Sequence, residues 1–249
     1  PIANDTAARG AEDATSIPVT LSGTDPDGTV ASFTLGTLPT NGTLYLDAAH
    51  TQPIVPGTPI PAGAGGTTTL YFVPSPNWNG TTDFPYTATD NLGLASPSAV
   101  ATIEVTPQND APIANDTAAR GTEDAASIPV TLSGSDVDGT VASFTLGALP
   151  TNGTLYLDAA HTQPVTAGTP IPAGTGGTTT LHFVPAPNWN GETRFPYTAT
   201  DNDNLASAPA EARITVDSVN DAPVANDTAA RGAEDATSIP VTLNGTDPD

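Results

Sequence analysis

The residues able to do chemistry are carboxylates and side-chain amides, and they fall in a repeated pattern. One stretch reads Asn109-Asp110-Ala111-Pro112, then Asn115-Asp116, Glu123-Asp124 and Asp136-Val137-Asp138-Gly139. The same elements stand at Glu12-Asp13 and Asp25-Pro26-Asp27-Gly28, and again at Asn220-Asp221-Ala222-Pro223 and Asp247-Pro248-Asp249. Asp90 and Asp201 each follow an aromatic run, Phe84-Pro85-Tyr86 and Phe195-Pro196-Tyr197. Carboxylates and amide oxygens are hard donors, the set that Ca2+ takes six to eight at a time at about 2.3–2.6 Å. Magnesium fits less well, because it demands a small octahedral site and keeps its waters. Each Asp-x-Asp-Gly by itself is also what an ordinary tight turn uses. It is not an EF-hand, since no Glu closes a twelve-residue loop.

The frame that must position these residues is a long repeat. Pro1-Ile2-Ala3-Asn4-Asp5-Thr6 recurs at Pro112–Thr117 and, with Val224 for Ile, at Pro223–Thr228. The spacing is about 111 residues, and the first two copies match without a gap at roughly four positions in five. That is close to the commonest domain size. The expected organisation is repeat 1 over 1–111, repeat 2 over 112–222, and over 223–249 the truncated start of a third, too short to bury a core of its own. Its strands are expected to pair poorly.

Helical periodicity is absent, because Pro, Gly and Thr interrupt every window of helix length. Short runs rich in Val, Thr, Ile, Phe and Tyr recur between turn residues, which is the signature of strands. In the first repeat they cover 16–21, 29–38, 43–46, 67–73, 83–89 and 99–106, after an extended start over 1–9, with a long Pro- and Gly-rich loop over 47–66. About seven strands per repeat with frequent turns predict an all-β chain of tandem immunoglobulin-like β-sandwiches arranged end to end. Trp78 and Trp189, each at a corner before a strand, are expected to pack on the core.

Strand alternation in such a sandwich sends Glu12-Asp13 to the C-terminal pole of its domain, and Asp136, Asp138 and Asp201 to the N-terminal pole of theirs. Asn109 and Asp110 form the linker. These groups are therefore expected to converge and bind calcium. At about 5 Å and an effective dielectric near 20, each pair of like charges without a cation costs on the order of 3 kcal/mol.

The formal net charge of −22, with five arginines and no lysine, excludes nucleic acid as a partner and opposes anionic membranes. No run of about 18 apolar residues calls for membrane insertion. The lack of cysteine excludes disulfides and thiolate metal sites. Arg9, Arg120 and Arg231 recur at one repeat position and are expected to pair with neighbouring acids. His50, His161 and His182 form no ligand spacing. No nucleophile elbow, metalloprotease helix or phosphate loop is present, so no enzyme is expected.

The ordered motifs Pro-x-Ala-Asn-Asp, Glu-Asp, Asp-x-Asp-Gly, Asn-Gly-Thr-Leu, Asn-Trp-Asn-Gly and Phe-x-Tyr-Thr-x-x-Asp stand in both repeats. They resemble the Ig-like and cadherin-like tandem repeats of large bacterial adhesins, and the resemblance covers the whole chain. It implies calcium-rigidified spacer repeats of an RTX-type adhesin at the surface of a Gram-negative bacterium. Such repeats would project a distal binding domain for cell adhesion or biofilm formation. The implied ligands are Glu12, Asp13, Asp25, Asp27, Asp90, Asn109, Asp110, Glu123, Asp124, Asp136, Asp138, Asp201, Asn220, Asp221, Asp247 and Asp249. The implied partners are calcium ions and neighbouring repeats, with a cell-surface glycan or protein reached through domains outside this stretch. Cadherin repeats carry an acid at the corner before the sixth strand. Here Asp83 is replaced by Arg194 in the second repeat, so that position is not a common ligand. The alternative is a module that itself binds glycans or its own kind. It needs exposed aromatics, and aromatic residues are only 5% of the chain, most of them at strand positions expected to be core.

Overall fold

Alternation of apolar and polar residues sets each strand. Along Ile17–Thr24, for example, Ile17, Val19 and Leu21 are buried and Pro18, Thr20 and Thr24 are exposed, because successive side chains point to opposite faces. The computed structural model describes residues 1–247. It forms two compact units, Pro1–Gln108 and Asn109–Asp249.

The first unit contains β1 (Ile2–Ala3), β2 (Thr6–Ala11), β3 (Ile17–Thr24), β4 (Val30–Leu35), β5 (Gly42–Tyr45), β6 (Ile60–Pro61), β7 (Thr67–Pro74), β8 (Gly80–Asp90) and β9 (Ala99–Thr106). One sheet has the order β1-β3-β7-β5 and the other β2-β9-β8-β4-β6. The β2–β9 pair is parallel and the rest are antiparallel. The two inner faces meet in a core that includes Val19, Leu21, Phe33, Leu35, Phe72, Phe84, Tyr86 and Ile103, with Trp78 packed at its margin. This is an Ig-like β-sandwich.

Seven strands have four or more residues, as expected, and two have only two. The extended start divides into β1 and β2, which join different sheets. The division is fastened at Asn4-Asp5. The Tyr86 hydroxyl donates to the Asn4 carbonyl, and the Asp5 carboxylate accepts from the Val100 amide at 2.8 Å. The two-residue β6 lies inside the loop predicted over 47–66. In β4 a bulge between Val30 and Ser32 turns both Val30 and Phe33 inward, which simple alternation does not allow. In β9 the buried positions are Ala99, Ala101, Ile103 and Val105, while Val100 faces solvent.

The second unit repeats this plan with β10 (Ile113–Ala114), β11 (Thr117–Thr122), β12 (Ile128–Ser135), β13 (Val141–Leu146), β14 (Gly153–Tyr156), β15 (Ile171–Pro172), β16 (Thr178–Pro185), β17 (Gly191–Asp201) and β18 (Ala210–Asp217). Its sheets are β10-β12-β16-β14 and β11-β18-β17-β13-β15. Tyr197 bonds the Asn115 carbonyl as Tyr86 does Asn4.

After these come β19 (Val224–Asn226) and β20 (Asn244–Thr246), which pair in the register Val224↔Thr246, equivalent to Ile2↔Thr24. The expectation of poor pairing is thus corrected for three residues on each side. No residue from Ala222 to Asp247 is buried, since the sheets that would cover Ile239, Val241 and Leu243 are not built from this stretch. Among the described residues no helix is long and apolar enough to cross a membrane.

The long loop is pinned locally. The Asp47 carboxylate accepts from the Thr51 and Gln52 amides and from the Thr51 hydroxyl at 2.7 Å. The hydroxyl first, then the two amides, holds its carboxyl below the ordinary Asp value. A depressed carboxyl stabilises the fold above its unfolded pKa, and the gain is lost as pH falls through the folded one. Asp47→Asn is therefore expected to lower stability near neutral pH and to lower it by less at roughly pH 3, below the unfolded pKa of Asp. Urea unfolding at the two pH values checks this. Tyr86→Phe removes the bond to Asn4 and leaves a part-buried carbonyl without it. The expected loss is about 1 kcal/mol, read as a lower midpoint with an unchanged denaturant slope.

Candidate metal centre

The second unit gathers one set of acids from three segments. Asp136-Val137-Asp138-Gly139 turns between β12 and β13, Asp201 ends β17, and Asn109-Asp110 precedes β10. The Asn109 side-chain amide donates to Asp201 Oδ2 at 2.7 Å. The Asp110 backbone amide donates to Asp138 Oδ2 at 3.2 Å. Asn202 Oδ1 accepts from the Thr140 amide at 2.7 Å, tying the two loops together. Gly139 leaves the space this needs, since a Cβ there would come within 2.6 Å of Asn202 Oδ1 and 2.8 Å of Asp136 Oδ2.

The acids differ in their environments. Asp201 is buried, and its Oδ1 accepts from the Asp203 and Leu205 amides at 2.9 and 2.8 Å. The Asn109 amide, then the Leu205 and Asp203 amides, holds its carboxyl below the usual range. Asp201 therefore caps its own turn. Asp136 is half-buried, and both of its carboxylate oxygens are buried without a hydrogen bond of ordinary geometry. Burial raises its pKa, and the Asp138 and Asp201 charges push the same way. The neighbouring Asp138 amide lowers it but does not offset them. A buried carboxylate without a satisfying partner is costly.

In the first unit Asp25 and Asp27 occupy the equivalent turn, and Asp90 Oδ1 accepts from the Leu92 and Leu94 amides at 2.8 and 2.9 Å. Asn91 Oδ1 accepts from the Thr29 amide at 2.9 Å. Asp25 Oδ1 lies 3.6 Å from the Pro1 amine. Asp27 is exposed.

Glu12 is buried and bridges its own unit. Its Oε1 accepts from the Gln108 backbone amide at 2.7 Å, and its Oε2 from the Asn79 side chain at 3.2 Å. Asp13 is exposed and its Oδ2 accepts from the Gln108 side chain at 3.4 Å. In the second unit the buried Glu123 accepts from the Val219 amide at 2.8 Å, and Asp124 is exposed. The Asn220 side chain donates to the Asp221 carbonyl at 3.0 Å. Asp247 follows β20, and Asp249 lies outside the described residues.

Among the described residues no three His, Asp or Glu side chains come together closely enough to hold a metal ion. The chemistry of the donor set nevertheless fits a hard cation, and the buried, unsatisfied oxygens of Asp136 are where charge is least compensated. The roles of Asn91, Asn202 and Asn79 do not follow from the sequence reading. Their repetition in both copies was the only signal. Arg194 lies on the outer sheet face, paired with Glu192 at 2.6 Å and Glu211 at 3.4 Å. Arg9 pairs with Glu104 at 3.5 Å, and Arg120 binds Asp217 through two nitrogens at 2.7 and 2.8 Å. The pairing expected at Arg9 and Arg120 is present, and at Arg231 no ion pair forms among the described residues.

Residues 109–217 match the family model described as the bacterial Ig domain. No curated protein matches the sequence. Among solved structures, Drosophila N-cadherin EC1-4 is similar at 10% identity and a TM-score of 0.45, over 98% of this chain and 57% of that one. The sialic acid binding region of a Streptococcus sanguinis adhesin is similar at 12% identity and a TM-score of 0.31, over 90% and 79%. The fibronectin(III)-like modules of Clostridium thermocellum CbhA follow at 15% and 0.23, over 88% and 92%. The matched segment, residues 109–217, includes Asp110, Asp136, Asp138 and Asp201.

Because ionised Asp136 is disfavoured in the fold, Asp136→Asn is expected to raise the melting temperature in chelator. Asp201→Ala is expected to lower it, by loss of the turn cap. Differential scanning calorimetry of both variants in chelator checks the opposite signs.

Proposed function

We propose that this chain is a calcium-binding spacer segment of a bacterial surface protein, without enzymatic activity of its own. The observation that carries the reading is the half-buried Asp136, whose two oxygens lack hydrogen bonds while Asp138 and Asp201 add like charge. A divalent cation would neutralise that group and supply the missing partner. Asp110, Asp136, Asp138 and Asp201 are the residues that would hold it, with Asn109 releasing Asp201 to join them. Asp25, Asp27 and Asp90 would do the same in the first repeat.

Repetition supports the spacer role. Two copies share roughly four positions in five without a gap, and length tolerates such copying better than recognition does. The bacterial Ig match over 109–217 supports an extracellular setting. In this reading Glu12-Asp13 and Glu123-Asp124 are further carboxylates that calcium would take, and calcium would rigidify the spacer. An RTX-type adhesin is the parent protein that the motif resemblance favours.

Calcium at about 100 times its Kd would add about 2.7 kcal/mol to the stability of the repeat that binds it. The expected result is a higher melting temperature in calcium than in chelator. Small-angle scattering should also show a maximum dimension that is longer and better defined with calcium. Asp110→Ala combined with Asp136→Ala is expected to abolish both differences. Identical melting and scattering in the two buffers would reduce these acids to surface charge.

A further inference from the structure

The outer face of the sheet β1-β3-β7-β5 carries a row of rings. Pro18 on β3 lies opposite Tyr71 on β7, Tyr71 lies opposite Tyr45 on β5, and Tyr45 bridges to Pro53. Residues directly opposite in a sheet share a face. Their neighbours Ile17, Val19, Leu44 and Phe72 fill the core, so the row lies on the solvent side. Pro18 and Pro53 are exposed, and Tyr45 and Tyr71 are half-buried. Tyr86 and Tyr197, by contrast, are core residues. The expectation that aromatics at strand positions belong mostly to the core thus fails for Tyr45, Tyr71 and Tyr156.

The row is rigid and polar at its margins. His50 packs against the Tyr45 ring at a centroid distance of 5.2 Å, in a loop pinned by Asp47. The Thr20 and Thr69 hydroxyls meet at 3.1 Å one step along the same face, and Thr43 is exposed on the other side, opposite Val73. Among the described residues neither the Tyr45 nor the Tyr71 hydroxyl has a hydrogen-bond partner. Pro18, Thr20, Thr43, Tyr45, Thr69 and Tyr71 are all uncharged, in a chain of net charge −22.

We propose that this row is a stacking platform for a neutral, β-linked hexose polymer. A tyrosine ring offers a large amphipathic surface with a polar tip and loses little entropy when it is already packed. The C–H face of a pyranose covers such a ring, while its hydroxyls reach the tyrosine and threonine hydroxyls at the margins. A straight row across neighbouring strands suits an extended, ribbon-like chain. The absence of charge along the row, within a strongly acidic molecule, selects a neutral polymer over a uronate or sulfated one, which the overall field repels. The second repeat supplies an internal comparison. Its row is Pro129, His182, Tyr156 and Pro164, with His161 beside Tyr156 at 5.2 Å. His182 in place of tyrosine offers less ring surface, so the first repeat is the stronger site. The bland alternative is that the tyrosines only pair across strands to stabilise the sheet.

The test is an amide NMR titration of the whole chain with cellohexaose, with an alginate hexamer as the charged control, in chelator so that the outcome is independent of the calcium reading. Cellohexaose is expected to shift the amides around Tyr45, Thr69 and Tyr71 with a Kd of about 1 mM. Tyr71→Ala and Tyr45→Ala are each expected to weaken binding about tenfold, close to 1.4 kcal/mol. Tyr71→His should reduce the first repeat to the level of the second while leaving its melting temperature nearly unchanged, since the second repeat carries histidine there. His182→Tyr should raise the second repeat to match the first. No shift with cellohexaose, equal binding of alginate at this face, or binding that survives Tyr71→His undiminished would overturn the proposal.

Discussion

The face-to-face packing of two sheets is the interaction on which everything else in each repeat depends. Without cysteine, and with no helix among the described residues, the only large favourable term is burial of the inner faces. Phe33, Phe72, Phe84 and Tyr86 are fully buried in the first repeat, and Phe144, Phe183, Phe195 and Tyr197 in the second. Phe33 meets Tyr86 edge to face at 5.8 Å. The tyrosine does more than fill space, because its hydroxyl reaches the backbone where the first strand crosses from one sheet to the other. A single buried side chain thereby ties the ends of β1 and β2 to the middle of the sandwich.

A core that sits wholly between the sheets leaves the loops at the poles free to collect charge. The acids there have separate fates. Asp90, Asp201 and Glu12 are buried but satisfied by backbone amides and side-chain donors, so local structure accounts for them. Asp136 is not satisfied in that way, and it is the group through which a cation would act most strongly. The contrast explains why counting acids in a turn overstates a metal site. A carboxylate that caps its own turn has one oxygen already engaged and offers a cation only the other.

The outer faces follow a different rule from the inner ones. On the second repeat the β17–β18 face carries the Glu192, Arg194, Glu211 and Arg213 ion pairs, where the first repeat has Thr81, Asp83, Val100 and Thr102. The face of β3, β7 and β5 keeps its rings and threonines in both copies, apart from Tyr71 against His182 and, at the end of β3, Thr24 against Ser135. Divergence is thus concentrated where side chains contact only water and one another. The inner faces admit little change, because neighbouring side chains there are close-packed.

The sequence alone determined the all-β class, the repeat and the placement of most strands, because period-2 alternation and turn residues are local signals. It also marked the acidic motifs, since hard-donor chemistry can be read from residue type. Tertiary structure alone decided which acids are satisfied. Asp201 and Asp136 look alike as letters, but one is satisfied by two backbone amides and the Asn109 side chain while the other keeps two buried oxygens without a hydrogen bond of ordinary geometry, and that depends on how three distant segments meet. The bulge in β4 and the division of the first strand were likewise hidden, because each answers to a partner far away in the chain. The same holds for Tyr45 and Tyr71. Residue type made them candidates for the core, and only cross-strand register placed them in one row on the outside, because a shift of a single residue moves every side chain to the other face.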